Sequence, residues 1–212
     1  MNYGFVPSKM DGTEKKFVTV EGLDLPESYS YVNFLPPILN QGERPICVPC
    51  SISAHLNWNK NVDTDGDNKR DNNVKLLDIY ASRTTGGDNG MTFKDALKYI
   101  KHNGVRSDAG VLKIDKYALV GGALQIKQAL LLNGPLVGAL PVYSTDKYFW
   151  RDEGYSSFMG GHAISIVGYD KNGLIIRNSW GTSFGDNGYT HINWDELRTF
   201  KEMWTIIDWI KY

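Results

Sequence analysis

Residues 161–182 read Gly-His-Ala-Ile-Ser-Ile-Val-Gly-Tyr-Asp-Lys-Asn-Gly-Leu-Ile-Ile-Arg-Asn-Ser-Trp-Gly-Thr. Two short runs rich in β-branched residues, Ala163–Tyr169 and Leu174–Arg177, flank Lys171-Asn172-Gly173, and an Asn-Gly turn between such runs is a hairpin signal. His162 opens the first strand directly after Met159-Gly160-Gly161, where small residues let another segment approach closely. The hairpin then brings the chain back to the same region at Asn178-Ser179-Trp180-Gly181. An amide oxygen at Asn178 that accepts from one imidazole nitrogen leaves the other facing outward, which sets the tautomer that acid/base work on a thiol requires. Trp180 is placed to shield that bond from water.

Working outward, the C-terminal half continues as short β-like runs at Leu136–Tyr143, Tyr189–Trp194 and Met203–Ile210. The first half reads differently. From Cys47 onward Val48, Ile52 and Leu56 recur every four residues, Ala54 and Trp58 widen the apolar face, and Pro49 falls in the first turn, where a missing N–H costs little. Cys47 is therefore expected at a helix N-terminus. A second amphipathic segment covers 74–83, and Thr92 with Asp95 forms a capping-box pattern before Phe93, Ala96, Leu97 and Ile100, a run that Asn103-Gly104 ends. Another helix is expected over 123–133, stopped by Gly134-Pro135. Helices first and antiparallel strands second predict an α+β protein, a helical lobe packed against a sheet lobe.

The bulk numbers agree with a globular chain. At 212 residues it is long enough to bury roughly 70% of the surface its unfolded form exposes, and a content of 42% hydrophobic, 22% charged and 12% aromatic residues is ordinary. A formal net charge of −1 and the absence of a long Lys/Arg run point away from nucleic acid and anionic membranes. No run of 18 apolar residues occurs, and residues 1–20 lack the pattern of a secretory signal, so the expected location is cytoplasmic. Residues 1–35 read as an arm lying on the domain and 59–73 as an exposed polar loop.

Two cysteines, in Cys47-Val48-Pro49-Cys50, are too few for a disulfide framework. A dithiol of this spacing also suits a redox centre or half a zinc site, but no strand precedes it and no second half-site exists. A thiol at a helix N-terminus next to an imidazolium has two reasons for a lowered pKa. Of the four histidines, His55 points along the helix of Cys47, His102 sits near a helix C-terminus where positive charge suits the dipole, and His162 has the setting of a site. The stretch Asp63-Thr64-Asp65-Gly66-Asp67 resembles a calcium loop, yet its sixth position is Asn68 and its twelfth Val74, where Gly and Glu are needed. It reads as a solvated loop.

Taken together, Leu39-Asn40-Gln41-Gly42 before Cys47, Gly161-His162-Ala163 running into Val167-Gly168-Tyr169, Arg177-Asn178-Ser179-Trp180-Gly181-Thr182, and Gly185-Asp186-Asn187-Gly188-Tyr189 resemble the papain/cathepsin-type cysteine peptidases, in family order. The resemblance implies one papain-like domain over 1–212, with an arm at 1–35, a mainly helical lobe over about 36–120, a mainly β lobe over about 121–212, and the active site between the lobes. It implies that Cys47 attacks a scissile carbonyl, His162 shuttles the proton, Asn178 orients His162, and Gln41 completes the oxyanion hole with the Cys47 N–H. It assigns substrate binding to Asn89, Gly90, Gly161 and Trp180, a peptide or protein as substrate, no metal or other cofactor, and a monomer. Cys50, nine residues from Gln41 where Cys47 is six, is expected in the core. Pro45-Ile46 before the nucleophile and Val48 after it depart from papain and look more like compact bacterial and viral members. The stretch before Gln41 is shorter than the usual inhibitory propeptide, so activation by prodomain removal is not expected. Two alternatives share the site: a catalytically silent peptide-binding relative, and a related acyl transfer or deamidation.

Overall fold

The computed structural model describes residues 3–63, 74–108, 110–154 and 157–208, with the side chains of 60–63 excepted. In chain order the elements are β1 (Tyr29–Ser30), α1 (Cys47–Asp63), α2 (Leu76–Ala81), α3 (Phe93–His102), β2 (Val105–Ser107), β3 (Gly110–Leu112), β4 (Lys116–Leu119), α4 (Ala123–Asn133), β5 (Leu136–Val142), β6 (Gly160–Tyr169), β7 (Gly173–Arg177), β8 (Tyr189–Asn193) and β9 (Glu202–Ile207). Among the described residues the main antiparallel sheet runs β4-β9-β5-β6-β7-β8, with β1 added to β6. The fold is α+β, with helices packed against an antiparallel sheet.

α1 is the helix around which the rest is arranged. Val48, Ile52 and Leu56 are buried, and so are Ser51, Ser53 and Asn57. Their side-chain donors bond to the helix's own carbonyls at Val48, Cys50 and Ser53, which is how a helix covered on several sides keeps those donors paired. Toward one side α1 shares a core with α2, α3 and β9, through Ile79, Phe93, Leu97, Ile100 and Trp204. A second cluster packs α4 against β5–β8. The helix begins where the sequence places it, but it runs to Asp63 rather than ending near 58, since no Gly or Pro interrupts it there. Thr64–Asn68, and with them the resemblance to a calcium loop, lie outside the described residues.

The other expected elements sit close to their sequence signals. Thr92 caps α3 by accepting from the Asp95 N–H at 2.9 Å. The reciprocal half of the box is not made, because the Asp95 carboxylate accepts from the Thr84 hydroxyl instead. Gly134 ends α4 at φ 91°, and a Cβ there would lie 2.1 Å from the Trp58 ring, so that helix stops where α1 crosses it. The sequence reading offered no strands over 105–119, where β2–β4 form; β4 takes its place by pairing with β9. Among the described residues no helix is long and apolar enough to cross a membrane.

Candidate active site

β6 and β7 form the hairpin read from sequence, with Ser165 opposite Arg177 and Tyr169 opposite Leu174. This register sets His162 and Asn178 side by side, and the His162 Nε2–H donates to Asn178 Oδ1 at 2.7 Å. The same oxygen accepts the Ser179 backbone N–H at 2.7 Å, so the amide cannot turn without losing two bonds. His162 Nδ1 is buried and has no hydrogen-bond partner among the described residues. Trp180 covers the imidazole with ring centroids 4.5 Å apart, and Phe149 meets it edge-on at 5.6 Å. Phe149 escaped the sequence reading, although it stands in the aromatic run Tyr148-Phe149-Trp150.

Cys47 is the first residue of α1 and is fully buried. Backbone N–H groups of Ala163, Gly4 and Val48 point at its sulfur. Ala163 follows His162 on β6, which places the thiol against the strand that carries the imidazole. Burial pushes the thiol up to about 11, against the lowering effect of those donors. Burial likewise pulls His162 down to about 4, with the Asn178 bond opposing. Burial in this closed state thus favours the neutral thiol and the neutral imidazole. The expected lowered thiol pKa is therefore not what the closed structure holds: desolvation outweighs the helix N-terminus.

Gln41 lies in the loop leading into α1, its N–H bonded to Ser179 O at 2.9 Å. Its Oε1 accepts from the Ser179 hydroxyl at 2.7 Å and its Nε2 donates to Arg44 O at 3.0 Å. The side chain is thus pinned to the turn that carries Asn178. Cys50 is buried one turn below Cys47, within reach of the Ser179 hydroxyl, and burial raises its pKa strongly. Both cysteines are free thiols. His102 is exposed, and His191 bonds to Asp170 at 3.1 Å; both lie outside the cluster.

The walls of the cleft depart from expectation in one respect. Asn89 is exposed and its side chain turns back to Gly86 O, while the Gly90 N–H bonds to the Tyr80 hydroxyl. The backbone that faces the cleft on this side belongs to Met91. It pairs with the chain's own N-terminal segment: Met91 N–H to Gly4 O at 2.9 Å and Val6 N–H to Met91 O at 3.0 Å. From the opposite wall Gly161 O accepts the Phe5 N–H at 3.1 Å. The arm thus threads between the two walls, directly over Cys47.

A buried thiol at a helix N-terminus, packed against the strand that carries an imidazole oriented by an amide, has the groups a thiol nucleophile and its acid/base partner need. The family model for the papain family cysteine proteases matches residues 106–203, a stretch containing His162 and Asn178. Cysteine proteinase 3 of Entamoeba histolytica is 30% identical over 192 residues, 77% of this chain and 61% of that protein. A cathepsin B-like protein of Giardia intestinalis, CP3, is 41% identical over 75 residues, 32% of this chain and 25% of that protein. The chain thus spans between a quarter and about three-fifths of the length of these relatives. Xylellain, a cysteine protease from Xylella fastidiosa, shares the fold with a TM-score of 0.84 over 99% of this chain and 97% of its own, at 20% identity. The chain is thus similar in sequence to the papain family cysteine proteases and shares the papain-like fold.

Proposed function

We propose that the chain is a cysteine endopeptidase in which Cys47, His162, Asn178 and Gln41 carry the chemistry. The observation that carries this reading is the buried imidazole whose Nε2 is committed to Asn178 at 2.7 Å while Nδ1 has no partner among the described residues. A nitrogen so placed, on the strand that touches the sulfur, is a base for the Cys47 proton.

With a peptide bound, the Cys47 thiol gives its proton to His162 Nδ1 and the sulfur adds to the scissile carbonyl carbon. The carbonyl π pair moves to oxygen, and the Cys47 N–H and the Gln41 amide donate to that oxyanion. When the tetrahedral species collapses, the C–N bond breaks and His162 returns the proton to the leaving amine. Water, deprotonated by the same nitrogen, then opens the thioester and restores the thiol. Losing one oxyanion donor typically costs about 10²–10³ in turnover. The site is complete within one chain, which supports a monomer, and two unlinked thiols suit a reducing compartment such as the cytoplasm.

The test is labelling by an epoxide-type thiol inhibitor. Cys47→Ala should abolish it and Cys50→Ala should leave it largely intact; labelling that survives the first change ends the assignment. A second reading, a silent peptide-binding relative, draws on the full burial of the thiol. Turnover of mixed peptide substrates separates the two.

A further inference from the structure

Positive charge is concentrated on the outer face of α3. The helix buries Phe93, Ala96, Leu97 and Ile100 and carries Lys94, Lys98 and Lys101 on its other side, at spacings of four and three that set them on one face. That face, the arm at 11–18 and β4 enclose a groove of about 770 Å³, to which Lys15, Lys16 and Lys116 also contribute. Asp11 and Glu14 are the carboxylates among its lining residues, and Lys94 holds both. Lys101 donates to Asp115 O at 2.6 Å, and Lys116 pairs with the Asp115 carboxylate at 3.2 Å. Lys15, Lys16 and Lys98 are exposed, and their ammonium groups have no ion-pair partner among the described residues.

In a chain whose formal net charge is −1, this excess leaves the remaining surface acidic, so an anionic partner is steered to the groove and repelled elsewhere. The groove also has an apolar part. Phe17, Tyr117 and Ile207 line it, and Val18 in the same lining is 78% exposed. An exposed aliphatic residue among lysines gives an apolar side chain a contact and gives a nucleobase no ring to stack on. The combination suits a polypeptide that intersperses carboxylates with apolar side chains. α3, with ten residues, is about 15 Å long, the reach of about four or five residues of extended peptide.

The groove also adjoins the cleft. Thr92, the cap of α3, follows Met91, whose backbone faces the cleft, and Phe93 packs against Phe5 with ring centroids 5.6 Å apart. α3 thus carries its lysines away from one wall of the cleft. We propose that the groove is a docking site for an acidic, partly apolar stretch of a protein substrate, remote from the bond that is cut. Its use by a substrate rests on the peptidase reading; the docking of an acidic segment does not.

The experiment uses the full chain and its Lys15→Glu/Lys98→Glu double variant, both checked for folding by near-ultraviolet circular dichroism. The probe is a short fluorescein-labelled peptide rich in Glu with Leu and Val interspersed, read by fluorescence anisotropy beside a counterpart with Gln for every Glu. The acidic peptide should bind the wild type, more weakly as salt rises, and at least about tenfold more weakly in the double variant, where two attractions become repulsions. If the reversal prevents folding, Lys15→Gln with Lys98→Gln should show a smaller fall of the same sign. Equal binding by both chains, or of both peptides, overturns the proposal. Tighter binding of an oligothymidylate of equal charge overturns the assignment to a protein segment. Fusing the acidic stretch to a cleavable peptide should lower KM in the wild type, and the double variant should lose that advantage; a tail without effect on KM overturns the substrate role. Charge-dependent binding without cleavage of any peptide leaves the docking site standing and counts against the peptidase reading alone.

Discussion

Two histidines in this molecule are fully buried, and their surroundings differ in one atom. At His55, in the middle of α1, Nδ1 faces Pro135 O at 3.0 Å and Nε2 faces the Asp208 carboxylate at 2.6 Å. A carbonyl oxygen cannot donate, so Nδ1 carries a hydrogen, and Nε2 is engaged by a carboxylate that Asn59 also holds. That ring is used up. At His162 only Nε2 is engaged, and Nδ1 is held buried without a hydrogen-bond partner among the described residues. A buried polar atom without a partner costs free energy, and it persists where chemistry uses it. The difference separates an imidazole that ties α1 to the end of β9 from one poised to take a proton.

The contrast is broken most sharply by removing each ring. His162→Ala should lower turnover of an accessible peptide by about 10²–10⁴-fold, the usual contribution of a positioned acid/base group, while the chain remains folded by near-ultraviolet circular dichroism. His55→Ala should do the reverse. It strands the Asp208 carboxylate and the Pro135 carbonyl, and breaking a buried pair costs roughly 3–5 kcal/mol. Urea unfolding should show that loss, while turnover per folded molecule stays at the wild-type value. Comparable loss of turnover per folded molecule from both changes would erase the distinction.

The His162 half of the site was legible in the sequence because its causes are local. An Asn-Gly turn sets the hairpin, the hairpin sets the register, and the register sets His162 against Asn178. The N-terminus of α1 was equally legible, since Pro49 and the four-residue spacing lie within two turns of Cys47. The other half was not. A segment paired through backbone atoms leaves no side-chain periodicity, and Phe5 pairs with Met91 and Gly161, far away along the chain. Without that segment the thiol looked activated. A helix N-terminus is worth about 0.3–1 kcal/mol, whereas a rise from 9.0 to about 11 corresponds to roughly 3 kcal/mol. Burial by a remote strand decides the closed state, and no local pattern announces it. The interchange of Gly90 and Met91 along the cleft wall has the same origin, because Gly90 is needed for the close approach of Gly4 while Met91 supplies the paired backbone.

The smallest expected effect sharpens the same contrast through pH. The folded His162 ring sits at about 4, below its ordinary 6.5, because burial penalises the imidazolium. Between those values the unfolded chain binds the extra proton and the folded chain does not, so this contribution to stability is present above pH 6.5 and is lost as pH falls toward 4. The loss is on the order of 3 kcal/mol when complete. Unfolding free energies measured by urea at pH 7 and 4.5 should therefore differ less in His162→Gln than in the wild type, since glutamine removes the titrating ring. An acid-dependent loss that is identical in both chains would place the sensitivity elsewhere and show that His162 is not the dry, neutral ring its surroundings describe.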